Sequence, residues 1–373
     1  MKFSTTTKNL QDAVSKVIQA VPSKSLDSRF DNIHLILDNE LLIMYATDGE
    51  LSITVRCQVS STDKCMVGIK ARTIQEFLRS MYDTTVNFEI ERQQISDQGT
   101  VHIVTDKGRY KMLCIFEGKP DVRDKDFDAV IGLNSSELQD LIHKTLFACS
   151  VDGMRPAMMG VLFELEGNHV TAVSTDGHRL VRCKKATSYE SIEKKKIVVP
   201  SRVLSIMQKL VQDGEVKMSV DADRRYVRFI SDNVELESAL IVEPYPNYEA
   251  VIPVENEKMI VVDRSQIHDS VKRVGRFSNV FDIKILLEDQ IMKIWAENTE
   301  GESAYEEIPC DFNGQKLTIG FNSKFIEAAL AHIDTDKVTI EFTSPTTAVI
   351  FKPEDDVKKD DYIILVMPVR LNN

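Results

Sequence analysis

The chain has 373 residues, too many for one hydrophobic core and suited to two or three domains. Hydrophobic residues make up 43% and charged residues 28%, which excludes a disordered or low-complexity chain. A net charge of −12 argues, taken alone, against nucleic acid, because phosphate binding needs clustered Lys and Arg. The opening Met1-Lys2-Phe3-Ser4-Thr5-Thr6-Thr7 has no apolar signal core, and no apolar run reaches the roughly 18 residues of a membrane span. A cytoplasmic protein without membrane contact is expected. Cys57, Cys65, Cys114, Cys149, Cys183 and Cys310 lie far apart without zinc or redox spacing, so buried free thiols and no metal are expected.

Apolar spacing predicts six short amphipathic helices of two alternating types, separated by strands of period two. The first, 8–20, places Leu10, Val14, Val17 and Ile18 on one face. After a strand ending Val67-Gly68-Ile69 comes the second type, 72–82, with Ile74, Phe77, Leu78 and Met81, then a strand Val86-Asn87-Phe88-Glu89-Ile90. Turn formers and charges from Gly118 to Asp128 mark a boundary. Helix 136–147, with Leu138, Leu141, Ile142 and Leu146, repeats the first type, followed by a strand Val161-Leu162-Phe163-Glu164-Leu165. Ile197-Val198-Val199-Pro200 leads into the second type over 201–212, and a second boundary runs from Glu243 to Pro253. Helix 265–276 carries Ile267, Val271 and Val274; Leu317-Thr318-Ile319-Gly320-Phe321 leads into 323–333, and Val338-Thr339-Ile340-Glu341-Phe342 is a strand. The run from Tyr362 to Val366 reads as a buried edge strand. Ser136, Ser201, Ser265 and Ser323 stand where a side-chain oxygen would cap a helix.

Equivalent helices recur at roughly 120 to 130 residues, longer than solenoid periods, so the repeat is a domain. The expected fold is α+β: three domains, 1–125, 126–252 and 253–373, each an antiparallel sheet with two helices. Tyr45-Ala46-Thr47-Asp48-Gly49 is echoed by Val173-Ser174-Thr175-Asp176-Gly177, and only faintly by Trp295-Ala296-Glu297-Asn298. Asp-Gly in these places is first of all a turn former.

Over the six helical segments eleven Lys and Arg face six Asp and Glu, leaving the helices at about +5 and the remainder at about −17. Helices sharing one face of the sheets would make that face attractive to phosphate on an acidic body. The plainer reading is the wet face of any amphipathic helix. Zinc-finger spacing, a basic arm and an aromatic RNA-binding strand are all lacking, so any DNA contact should ignore sequence. No glycine-rich phosphate loop is present. His178 beside Asp176 is the one pair suggesting acid–base chemistry and a hydrolase, but no Ser or Cys nucleophile motif accompanies it. Neither catalytic residues nor a cofactor are expected.

Thr175-Asp176-Gly177-His178-Arg179-Leu180 and Val366-Met367-Pro368-Val369-Arg370-Leu371, supported by Tyr245-Pro246-Asn247-Tyr248 and Gly320-Phe321-Asn322, carry a resemblance over essentially the whole chain. The chain resembles the beta subunit of bacterial DNA polymerase III, the sliding clamp. The resemblance implies a head-to-tail homodimer closing into a ring of six domains around duplex DNA. Twelve helices ~10 Å apart would leave roughly 28 Å clear, room for a duplex of about 20 Å. It further implies a non-catalytic processivity factor that tethers the replicative polymerase, is opened by a clamp loader, and receives other polymerases and repair proteins through short linear peptides. A clamp-fold duplicate binding peptides outside replication is the alternative. The implied peptide site comprises Met158, Thr175, Gly177, His178, Arg179, Leu180, Pro246, Val251, Thr347, Leu365, Val366, Met367, Pro368 and Arg370. Lys24, Arg72, Arg155 and Arg202 are the implied DNA contacts, and Arg276 and Phe277 the implied dimer contacts. Ala250 stands where the family often has Arg, Arg276 replaces an apolar residue, and Asn372-Asn373 extend the usual ending.

Overall fold

The structure, a computed structural model, describes residues 1–373 except 26, 95, 117, 119–125, 222, 224, 255, 355–360 and 371–373. The Asn372-Asn373 extension and most of the first boundary segment lie outside the described residues. Packing divides the chain into two compact units: Met1–Ser136 with Ile206–Leu240, and Glu137–Ser205 with Ile241–Asn373. The units therefore cut across the sequence repeat, with the central repeat shared between them.

Six α-helices stand at the six expected places: α1 Thr7–Val17, α2 Ala71–Ser80, α3 Ser135–Thr145, α4 Ser201–Leu210, α5 Arg264–Val274 and α6 Ser323–Ala331. Helices of the first type end in a tightened turn, Ile18–Ala20, Leu146–Ala148 or Gly275–Phe277, which lets the chain leave the helix while its last apolar residue stays on the core. The buried stripe of α1 is Leu10, Ala13, Val14 and Val17, and that of α5 is Ile267, Ser270, Val271 and Val274. Each buried aliphatic side chain contributes about 1.5–3 kcal/mol, enough to hold helices too short to persist alone.

The capping serines are a correction. Oxygens of Thr6, Asp263 and Asn322 accept the N–H groups of Asn9, Gln266 and Lys324, while Ser265 and Ser323 lie inside their helices. An Asp or Asn just ahead of each serine is an equally good cap and starts the helix earlier. Ser136 and Ser201 likewise fall within α3 and α4.

In the first unit a twelve-stranded antiparallel sheet runs from Lys2–Thr6 at one edge to Phe127–Asn134 at the other, with Leu51–Gln58 pairing with Val234–Ala239 within it. The second unit holds a four-stranded sheet with Ser303–Pro309 at its edge, and a six-stranded sheet. In the latter, Asp361–Val366 pairs on one side with Arg179–Pro200 and on the other with Val349–Pro353. The expected edge strand is thus an interior one, because both neighbours offer free ladder groups to a strand whose Tyr362–Val366 side chains are buried.

The Asp-Gly echo is one turn built twice, with a longer relative in the third repeat. Asp48 Oδ1 accepts from the N–H groups of Glu50 and Leu51, Thr47 Oγ1 donates to Leu51 O, and Gly49 has φ +97°. In the third repeat Asn298 Oδ1 accepts from Glu300 and Glu302, and the positive φ passes to Gly301. Asn does Asp's work there, but the turn closes one residue later, at Glu302 rather than at the third residue on, and Glu297 supplies no hydroxyl, so the echo is partial in shape as in sequence.

Candidate functional site

The second copy of the turn begins the candidate site, in the second unit. Thr175 Oγ1 donates to Arg179 O, and Asp176 Oδ1 accepts from the N–H groups of His178 and Arg179 at 2.9 and 3.0 Å. Gly177 takes φ +90°, a conformation glycine adopts without strain. Asp176 Oδ2 accepts from Arg179 Nε at 2.9 Å, fixing a guanidinium that is only 16% exposed. With its carboxylate committed to two backbone groups and an arginine, Asp176 does not present itself to the His178 ring as a base partner would.

Arg179 is sandwiched by aromatic rings, Phe147 at 5.3 Å and Phe325 at 5.2 Å from its guanidinium carbon. Phe147 also stacks on His332, and His178 lies nearly parallel to Phe325. Such contacts are worth about 0.5–2 kcal/mol each and hold the donors of Arg179 in one plane.

Sheet register brings the two family-like motifs together: Arg179 pairs with Val366 and Leu180 with Leu365, and Met367 N–H donates to His178 O at 2.8 Å. Beneath them Leu162, Val173, Leu180, Val198, Tyr248 and Leu365 form one buried cluster, against which Tyr245, Ile241 and Ile252 pack. Tyr245 donates to Val173 O and Tyr248 to Glu164; burial drives both phenols well above their ordinary range, so they remain protonated donors. Burial also pushes the Cys149 thiol up to about 12. Cys57 and Cys65, like Cys149, are half-buried rather than fully buried, while Cys114, Cys183 and Cys310 match the expectation.

Of the implied peptide residues, Thr175, Gly177, His178, Arg179, Leu180, Leu365, Val366 and Met367 meet directly in this way. Pro246 is carried between the two packed tyrosines, Val251 ends the turn Tyr248–Val251 and is exposed, and exposed Thr347 precedes buried Ala348 of the cluster. Met158 lies in the turn Pro156–Met159, its carbonyl accepting from the Ser150 N–H. Pro368 and Arg370 flank Val369, which is bridged to Gly320. Arg155 stands here too: its Nη1 is 3.5 Å from Asp176 O, and a Cβ on Gly177 would meet that nitrogen at 2.7 Å.

The sequence reading missed Phe147, Phe325 and His332. The signal was available in the helices: Phe325 lies off the buried stripe of Ile326, Ala329 and Leu330, and Phe147 directly follows Leu146, so both cannot point into the same core.

In the first unit Lys24 and Arg72 line one groove with Lys70, Asp31, Val21 and Pro22. Arg72 donates to Ser23 O at 2.7 Å, which turns its guanidinium toward the loop carrying Lys24, and Lys70 lies 3.3 Å from Asp31. Arg202 is exposed in the first turn of α4. Several helix cations are partly neutralised locally: Lys16 by Asp12, Lys144 by Asp140, Arg273 by Glu306 and Lys324 by Glu327. Arg276 and Phe277 project from the turn Gly275–Phe277, where Phe277, Val280 and Phe281 are all exposed. Among the described residues no three metal-ligating side chains cluster, and no helix is long and apolar enough to cross a membrane.

Repeated antiparallel sheets with paired helices define the class: this is the DNA clamp fold. Models of the DNA polymerase III beta subunit match the chain in series, the N-terminal domain over residues 1–110, the central domain over 132–247 and the C-terminal domain over 249–370. The beta sliding clamp of Pseudomonas putida is 26% identical over 345 residues, covering 91% of this chain and 92% of its own. A crystal structure of the DNA polymerase sliding clamp from Pseudomonas aeruginosa with ligand superposes with a TM-score of 0.92 at 25% identity, over the whole of both chains. A sliding clamp from the same organism bound to griselimycin, 24% identical over the whole of both chains with a TM-score of 0.92, shows the same fold. The chain belongs to the bacterial DNA polymerase III beta subunit family, the beta sliding clamps.

Proposed function

We propose that two copies of this chain close head to tail into a ring of six domains around duplex DNA, and that the groove around Arg179 tethers the replicative polymerase to it. The observation that carries the reading is the convergence of the two most specific family-like motifs, 175–180 and 366–370, on one surface with a fixed cation above an apolar floor. Leu, Val, Met and Pro side chains accept apolar residues of a short peptide, and the adaptable Met367 and Met158 suit several clients. The same groove serves the clamp loader, other polymerases and repair proteins in turn. Ala250 leaves the rim without the arginine frequent in the family, so the cation of this groove is Arg179, with Arg155 beside the turn.

Ring closure uses the exposed Phe277, Val280 and Phe281 with Arg276, next to a sheet edge that can take another strand. Lys24, Arg72 and Arg202, with Arg155 as the fourth cation, touch phosphates without reading bases. Retention is topological, so weak contacts suffice and no bond is made or broken. The domains follow the repeat, 1–125, 126–252 and 253–373, and the protein works in the cytoplasm on chromosomal DNA.

Solution mass by light scattering, combined with retention on a nicked circular DNA after loading and then after linearisation, tests this. A dimer held on the circle and shed from the linear form is expected. A monomer at micromolar concentration, or binding indifferent to DNA ends, overturns the ring.

A further inference from the structure

The wall behind Arg179 is a stack of planar groups drawn from three separate stretches of the second unit. It runs His178, Phe325, Arg179, Phe147, His332, His143, with His332 stacked on Phe147 at 3.8 Å and 13°, and His143 next to His332 at 4.8 Å. His332 follows α6 and is half-buried; His143 lies on α3 and is exposed. Nδ1 of His332 sits 2.8 Å from Ala328 O, so the neutral ring donates there and its plane is fixed flat on Phe147.

We infer that His332 is a positioning residue for peptide capture: as a neutral ring it backs Phe147, and through Phe147 it holds Arg179, while a proton taken up in mild acid loosens that wall and weakens the groove. The inference rests on the reading of this surface as the peptide site, and supplies a pH response that reading does not contain.

The groups facing His332 decide its sign. Burial acts first and holds its imidazole below the ordinary histidine value; the Ala328 hydrogen bond opposes this, His143 on α3 and Arg179 on its strand reinforce it, and Asp334 beyond α6 opposes it. The further cations Lys144 and Lys185 are both tied to Asp140. His332 is therefore neutral, and the stack complete, at and above neutral pH. As pH falls through and below the ordinary histidine range the ring charges between His143 and the Arg179 cation on the far face of Phe147, which places like charges along one stack. His178 is unchanged in every His332 variant, so any contribution of its own cancels in the comparison.

The test is fluorescence anisotropy of a fluorescein-labelled pentapeptide with apolar side chains to match the groove, titrated with the full-length chain from pH 8 to pH 5.5. His332→Phe keeps a flat ring and cannot titrate; His332→Ala removes the ring. The original chain should lose about threefold more affinity across this range than His332→Phe, as an order of magnitude for one linked proton. At pH 8, His332→Ala should bind about fivefold more weakly and His332→Phe like the original, the size of one lost stacking contact. Parallel pH profiles, or His332→Ala binding like the original at pH 8, overturn the role of His332 while an Arg179-dependent affinity leaves the groove standing. No binding at pH 8, or binding indifferent to Arg179→Ala, overturns the groove and this inference with it.

Discussion

Residues 47–51 and 175–179 fold into the same turn, with the same threonine and aspartate hydrogen bonds and the same positive φ at glycine, yet they end in different residues. In the first, Glu50 leads to Leu51, 2% exposed in the core of the first unit. In the second, His178 leads to Arg179, clasped by Asp176 and two phenylalanines. The turn is a device for aiming its fifth residue. Aimed inward with a leucine it serves stability, and with an arginine between aromatic walls it serves the recognition proposed above.

The sharpest way to break this comparison is to truncate both fifth residues. Leu51→Ala should cost about 2–4 kcal/mol in a urea unfolding curve, as expected for a leucine in a close-packed core, and leave peptide affinity unchanged. Arg179→Ala should reverse the pattern, losing about 30-fold in peptide affinity, about 2 kcal/mol, with a smaller stability change. Equal losses of stability in the two variants would mean the turns do not differ in purpose. A finer test is Gly49→Ala against Gly177→Ala. Both glycines hold positive φ, so each alanine should cost about 1–2 kcal/mol of stability. At Gly49 the new methyl meets only the Phe30 ring at 3.5 Å, whereas at Gly177 it meets Arg155 at 2.7 Å. Only Gly177→Ala should therefore weaken peptide binding, by about threefold as an order of magnitude for a displaced rim contact.

What could be read in the sequence was whatever depends on nearest neighbours. The six helices showed themselves because stripes such as Leu10, Val14 and Val17 repeat at helical spacing. Their starts were misjudged because Asp263 and Asn322 compete with the serines that follow, a choice set by local geometry. The interior place of Asp361–Val366 was hidden because its partners are distant in the chain and leave no local pattern. The groove was half legible. The motifs 175–180 and 366–370 were visible as a resemblance, while the wall of Phe147, Phe325 and His332 exists only once α3 and α6 have met in space.

The strand Asp361–Val366 has a consequence for how the protein is made. It lies against the strand that begins at Arg179, and the ion pair between Arg182 and Asp361 spans 179 residues of chain. A ribosome must therefore synthesise all of that intervening chain before Leu180 meets Leu365 and Met367 reaches the His178 carbonyl. Nascent chains halted anywhere before this strand display the turn but not the groove. Under the proposed function, a client peptide would therefore find no groove on a chain that lacks this strand.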